Sequence, residues 1–132
     1  MSMTARLRDI LRAAPSIQAL VDAHVHRDER PQGEPLPAVV LLLISDPRPL
    51  TFSGPHTVRA ARVQIDCLAS SRGLAEAIGD AVIEAVDGRA LADADGFESA
   101  RILNVRHDSS RDQPATTFRT AIDVMVWHHP AP

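Results

Sequence analysis

A chain of 132 residues and 14.3 kDa is long enough to bury one core and too short for two, so the expectation is a single domain spanning 1–132. Hydrophobic content of 45% and charged content of 23% are those of a globular protein and set aside a disordered or fibrous class. A net charge of -3 and a pI near 6.0 argue against non-specific nucleic-acid binding through the domain as a whole, which needs a basic face, and leave local basic patches open.

All 14 basic residues are Arg, each bringing a planar fork of donors to any interface it enters. The single Cys67 cannot form an internal disulfide. The N-terminal MSMTARLRDI is charged from Arg6 onward, with no uninterrupted apolar stretch of a secretory signal. Both features point to a chain made in a reducing cytosol.

In chain order, Leu7, Ile10, Leu11 and Ala14 recur at helical spacing, with Arg6, Arg8, Asp9 and Arg12 toward the other side. This pattern predicts an amphipathic helix from about Thr4 to Ala14, with Thr4 as its cap. Pro15 ends or bends it, and Ile17, Leu20 and Val21 continue the apolar stripe in a short turn begun at Ser16. His24 to Arg27 reads as a short edge strand. The polar, Pro-rich DERPQGEPLP (Asp28 to Pro37) cannot supply a regular ladder. Pro37 to Ser45, PAVVLLLIS, is too short to span a bilayer and reads as a strand covered on both faces.

The next segment, DPRPLTFSGPH from Asp46 to His56, reads as an extended loop restricted by its prolines, of a length uncommon in a compact domain unless it has a function. From Thr57 to Leu68 the chain alternates: Val63, Ile65 and Cys67 against Arg62, Gln64 and Asp66, the pattern of a half-buried antiparallel strand. Ser70 or Ser71 then caps a helix with Leu74, Ile78, Val82 and Val86 at fourth-residue spacing and Ala75, Ala77, Ala81 and Ala85 as small neighbours; Gly88 stops it. Two strands follow, Glu98 to His107 and Thr116 to Trp127, joined by the polar loop DSSRDQPA. The last places Phe118, Thr120, Ile122, Val124 and Val126 on one face and Arg119, Ala121, Asp123, Met125 and Trp127 on the other. The fold class expected is α+β: a mainly antiparallel sheet with two helices packed on one face, in the order α-β-β-β-α-β-β.

Motifs that carry chemistry are scarce. His24 and His26 share a strand face and His128 and His129 lie near the other terminus, so a metal- or ligand-binding domain built on them is one alternative. It would need several convergent titratable groups, and structural zinc sites in short chains usually bring several cysteines. Cys67 reads as a buried small hydrophobe, since no His is placed by sequence to activate it. Ser53-Gly54 lacks the frame of a nucleophile elbow, and no P-loop or dinucleotide fingerprint occurs. The acidic DGRALADADGFE lacks the ligand spacing of a calcium loop. The expectation is no enzyme, no cofactor and no metal.

The stretches LRDILRAAPSIQALVDAHVH, PQGEPLPAVVLLLIS and VQIDCLASSRGLAEAIGDAVIEAVDG and the closing pair of strands, together with the order of elements, resemble a known family, the tail-completion or tail-terminator proteins of long-tailed bacteriophages and gene transfer agents. The resemblance runs from about Leu7 to Trp127 and departs from the family at DPRPLTFSGPH and at the histidine-bearing C-terminus. It implies a non-enzymatic virion protein, made in the bacterial cytoplasm, that assembles as a homo-oligomer, a hexameric ring, on the head-proximal end of the tail tube. Its implied partners are the major tail tube protein and a neck or head-completion protein. DNA would pass through the lumen without specific binding, and no membrane is involved. A head-tail adaptor of the same particle is a further alternative. The residues singled out for interfaces are Leu50 and Phe52, an apolar anchor or a pair folded back on its own core; Arg48, Arg59 and Arg62, for acidic neighbours or the lumen; and Arg111 with Asp112, a hairpin patch or merely solvated.

Overall fold

The protein is seen here in a computed structural model, which describes residues 2–31, 35–48, 50–51, 54–55, 58–88, 91, 96–112 and 115–129. Ser2, two residues before the expected Thr4, opens helix α1 (Met3–Ala13): its Oγ accepts from the Ala5 amide at 3.2 Å, satisfying a donor that a helix start leaves unpaired. Met3, Leu7 and Leu11 turn inward. Pro15 lacks an amide hydrogen and therefore begins a second helix, α2 (Pro15–Val21), where the sequence suggested only a turn.

Strand β1 (Val25–Arg27) runs parallel to β2 (Ala38–Ser45). Two two-residue strands, β3 (Leu50–Thr51) and β4 (Gly54–Pro55), pair with each other inside the segment expected to be an extended loop. Strand β5 (Arg59–Ala69), helix α3 (Arg72–Val86), β6 (Phe97–Asp112) and β7 (Ala115–His128) complete the domain. The main sheet has the order β1-β2-β5-β7-β6, antiparallel except at β1–β2. The α+β class and the mainly antiparallel sheet agree with the sequence reading; the helices number three among the described residues.

One sheet face carries the core. Val39 and Leu41 of β2 sit in register with Cys67 and Ile65 of β5, which face Thr120 and Ile122 of β7. All six are buried. Over them lies α3, capped by Ser71, whose Oγ accepts from the Leu74 amide at 3.2 Å. It ends at Asp87 and Gly88, the latter at φ 65, the left-handed conformation that glycine adopts without strain. Ala75, Ile78, Gly79, Val82 and Val86 form its buried side.

Two strands differ from expectation for physical reasons. β6 continues five residues past His107 to Asp112, because DSSRD pairs through its backbone with β7 and needs no apolar alternation at an exposed edge. β2 is covered on both faces only from Ala38 to Leu41; Leu43 and Ile44 are 47% and 55% exposed, because β1 reaches no further than Leu41.

Helix α3 approaches β7 so closely that a Cβ on Gly79 would stand 2.8 Å from Thr120 Cγ2. Gly79→Ala should therefore destabilise the fold by about 1–3 kcal/mol in chemical denaturation, despite alanine's better helix propensity. Adding Thr120→Ser, which removes that methyl group, should recover much of the loss. Gly73→Ala, with open space at its Cβ position, should not destabilise.

Candidate interaction surfaces

The sheet face turned away from the helices is polar, and three strands build it. Arg62, Gln64 and Asp66 of β5, Arg119, Asp123 and Met125 of β7, and Arg101, Arg106 and Asp108 of β6 share this face by register. Charges of opposite sign meet across strands. Arg106 reaches Asp123 at 3.2 Å, and Arg119 bridges Asp66 at 3.6 Å and Asp108 through two nitrogens. Asp66, 8% exposed, also accepts from Gln64 Nε2 at 2.8 Å, as a buried carboxylate requires. The Arg119 guanidinium, by donating to Asp108, holds that carboxyl below the usual carboxylate range; the same bond and the neighbouring carboxylates raise Arg119.

At one end of this face the pairing stops. Arg62 and Arg101 lie in register on either side of Met125, beside Trp127, and neither makes an ion pair among the described residues. Trp127, Ser99, Glu98 and Val58 line an open hollow of about 440 Å³ next to them.

The other face is pinned at the same end. Arg6 of α1 stacks its guanidinium 5.2 Å from the centre of the Phe97 ring and donates to the His129 carbonyl at 3.2 Å. The stack adds cation–π attraction to the hydrogen bond. The buried His128 meets Asp46 Oδ1 at 3.2 Å through Nε2, joining the end of β7 to the residue after β2.

The residues singled out by sequence are spread widely. Arg59 and Arg62, three apart on β5, lie on opposite sheet faces; Arg59 is opposite His128 at the pinned end, on the helix side. Arg62 joins the polar face and is exposed. Arg48 is exposed in the segment between β2 and β3. Leu50 pairs with Pro55 through its backbone in β3, and Phe52 lies outside the described residues. Arg111 is exposed in β6 opposite Thr116, and Asp112 pairs through its backbone with Ala115. With His128 and Thr116 twelve residues apart on β7, the two arginine patches stand about 40 Å apart along the strand. The residues the sequence reading missed are Arg101, Arg106 and Asp108. Arg101 and Arg106 lay inside the expected strand, but the register shift between Ile102 and Asn104 that brings them to one face breaks the alternation, and Asp108 lay past the expected strand end.

The histidines singled out by sequence, His24, His26, His128 and His129, do not converge. His24 and His26 stack at 6.3 Å beside β2, at the level of Cys67 and Thr120, whereas His128 lies eight residues further along β7, about 27 Å away. Among the described residues no group of three or more His, Cys, Asp or Glu side chains could hold a metal ion, and no helix is long and apolar enough to cross a membrane. Cys67 is fully buried, and burial, then the adjacent Asp66, push its thiol pKa up. It packs against Val39 and Thr120 by register as the small hydrophobe the sequence suggested.

A family model described as "Tail completion protein gp17" matches residues 5–129. Among solved structures, a chain of the "Virion of native gene transfer agent (GTA) particle" is similar with a TM-score of 0.60 and 21% identity, over 97% of this chain and 95% of that one. That likeness concerns the fold. No curated protein matches.

Two measurements check the chemistry of this surface. Cys67 should resist an alkylating reagent at mildly alkaline pH in the native protein and react at once in denaturant, because a buried neutral thiol is a poor nucleophile. Asp108→Asn should cost no more than about 1 kcal/mol at neutral pH, since the ion pair is solvent-exposed. A carboxyl with a lowered folded pKa stabilises above its unfolded range and loses that contribution as pH falls through the folded value. In pH-dependent denaturation the stability gap between the Asp108→Asn variant and the unsubstituted protein should accordingly close as the pH falls below the usual carboxylate range.

Proposed function

The chain belongs to the family of tail completion proteins, and on that premise we propose that it forms a ring capping the head-proximal end of a tail tube, stops tube polymerisation and joins the tail to the neck or head. The match over residues 5–129 carries this reading. As a member of that family the chain is a structural protein of a phage-like particle. Its fold, similar to that of a chain in a gene transfer agent virion, supports a place in such a particle.

The surfaces suit such a role. A ring is built from heterologous contacts, one patch of a copy meeting a different patch of the next, and this domain presents distinct surfaces at its two ends. The mixed-sign grid of Arg106, Arg119, Asp66, Asp108 and Asp123 is largely self-neutralised, as a surface should be that lets DNA pass without holding it. Arg48, Arg59, Arg62, Leu50, Phe52, Arg111 and Asp112 remain the proposed contacts to neighbouring copies, tube protein and neck protein. The hairpin end at Arg111 and the pinned end at Arg59 would then meet different partners.

The test is native mass by light scattering after gel filtration, alone and with tail-tube protein, together with the length of tubes grown in its presence. A hexamer-sized species, preformed or induced by tube protein, with shortened tubes is the expected result. A protein that stays monomeric and leaves tube length unchanged would refute the proposal.

A further inference from the structure

The four large apolar side chains that the described residues expose are Leu43 and Ile44, at 47% and 55%, and Leu103 and Val105, at 43% and 37%. They lie on opposite margins of the main sheet. Leu43 and Ile44 belong to the end of β2 that β1 does not reach, since β1 pairs only from Val39 to Leu41, and the ladder with β5 shifts register between Leu43 and Ser45, so that Ile44 is the extra residue of a bulge. The Asp28 amide still bonds the Leu41 carbonyl at 2.8 Å, and Asp28 itself has φ 71, a left-handed conformation that ends the strand there.

Strand β6 forms the other margin. Its outer edge is occupied at the start, where Gly88 bridges Ala100 and Asp87 Oδ1 accepts from the Ile102 amide at 3.4 Å. Irregular pairing around Glu98 and Leu103 twists this first part, a device that discourages edge pairing. From Asn104 to Asp112 the ladder with β7 is regular, and no strand among the described residues pairs with its outer side. Beyond Phe118, where β5 ends, the hairpin projects alone by about 10 Å. An edge of this length is a template for another strand.

We propose that a second copy of this chain occupies these margins: the β6 edge from Asn104 to Arg111 of one copy adds antiparallel to the β2 edge from Leu42 to Ser45 of the next. This rests on the ring reading and deepens it by naming the joint through which copies meet. Direction favours it. Three antiparallel pairings separate β2 from β6, so the two run in opposite senses within one copy. Setting β6 beside the next copy's β2 continues the antiparallel sheet with the helices on the same side. Face favours it too, since Leu43 and Val105 are in register with Val63 and Ile122, both on the helix side. A two-fold β6–β6 pairing would leave Leu43 and Ile44 in water. A joint of about four residues buries well under the ~800 Å² per partner of a standard interface. A single joint is therefore weak, and closure, in which every copy uses both margins, supplies the stability.

Cysteine scanning tests the joint. Leu43→Cys is combined in turn with Val105→Cys, His107→Cys, Ser109→Cys and Arg111→Cys, all on the helix side, in the full chain with its buried Cys67 retained. Within one copy the two positions lie three strand spacings apart, about 14 Å, beyond disulfide reach. The expected result is that mild oxidation of at least one pairing gives a ladder of covalent multimers on non-reducing gels, while each single variant gives none. Leu43→Asp should prevent assembly and leave the circular dichroism spectrum unchanged. The proposal is overturned if no combination gives a ladder, or if a β6 variant alone forms dimers. A closed ring by native mass with no ladder would reject this joint and keep the ring; a ladder running into open filaments would keep the joint and reject the ring.

Discussion

A sheet roofed by helices on one face has to make its other face acceptable to water, and most of this structure follows from that asymmetry. On the roofed side the strands contribute Val39, Leu41, Val63, Ile65, Cys67, Ile122, Val124 and Val126, all buried. Each strand's other residues are thereby committed to the open side, because side chains alternate. Exposed like charges directly opposite one another would weaken the pairing. The open face instead sets Arg106 against Asp123 and Arg119 against Asp66 and Asp108, so that the same register that packs the core also pairs the charges. A slip of one residue would undo both together.

The roof is held close by small residues more than by large ones. α3 can lie against β7 because Gly79 offers no side chain where Thr120 Cγ2 stands, and its remaining contacts are alanines and branched aliphatics. Close packing of this kind transmits position. The margins are looser: β1 covers only part of β2, and the long β6 carries exposed residues from Leu103 to Arg111. Stability is concentrated in the middle of the domain, and the surfaces suited to association lie where the sheet was left unfinished.

The middle was also what could be read from the sequence. Fourth-residue spacing at Leu74, Ile78, Val82 and Val86 and alternation at Val63, Ile65 and Cys67 reflect burial on one side, which leaves a periodic trace. Asp108 to Asp112 left none. An edge strand exposed on both faces has no apolar period, so it looked like a loop. The end of β2 misled in the opposite sense: LLLIS is apolar enough for an interior strand, yet only the extent of β1 decides whether Leu43 and Ile44 are covered. Arg62, Gln64 and Asp66 were correctly set on the polar face, but which β6 residues join that face depends on the register shift between Ile102 and Asn104 and on the strand's length, neither of which leaves a periodic trace. Arg59 and Arg62 were assigned one role together, although a separation of three in a strand puts them on opposite faces.

The clasp that Arg6 makes with Phe97 and the His129 carbonyl also has a topographic meaning. Arg6 lies one helical turn from Ser2, whose Oγ accepts from Arg27 of β1 at 3.0 Å, so the start of α1 is tied to the β1 margin by one residue and to the His128 end of β7 by the other. The β6–β7 hairpin points the other way. A fluorophore attached at Arg6 or at His129 would therefore stand at one pole of the sheet and leave the hairpin pole unobstructed, and a particle carrying such a label would reveal by its position which pole faces the head.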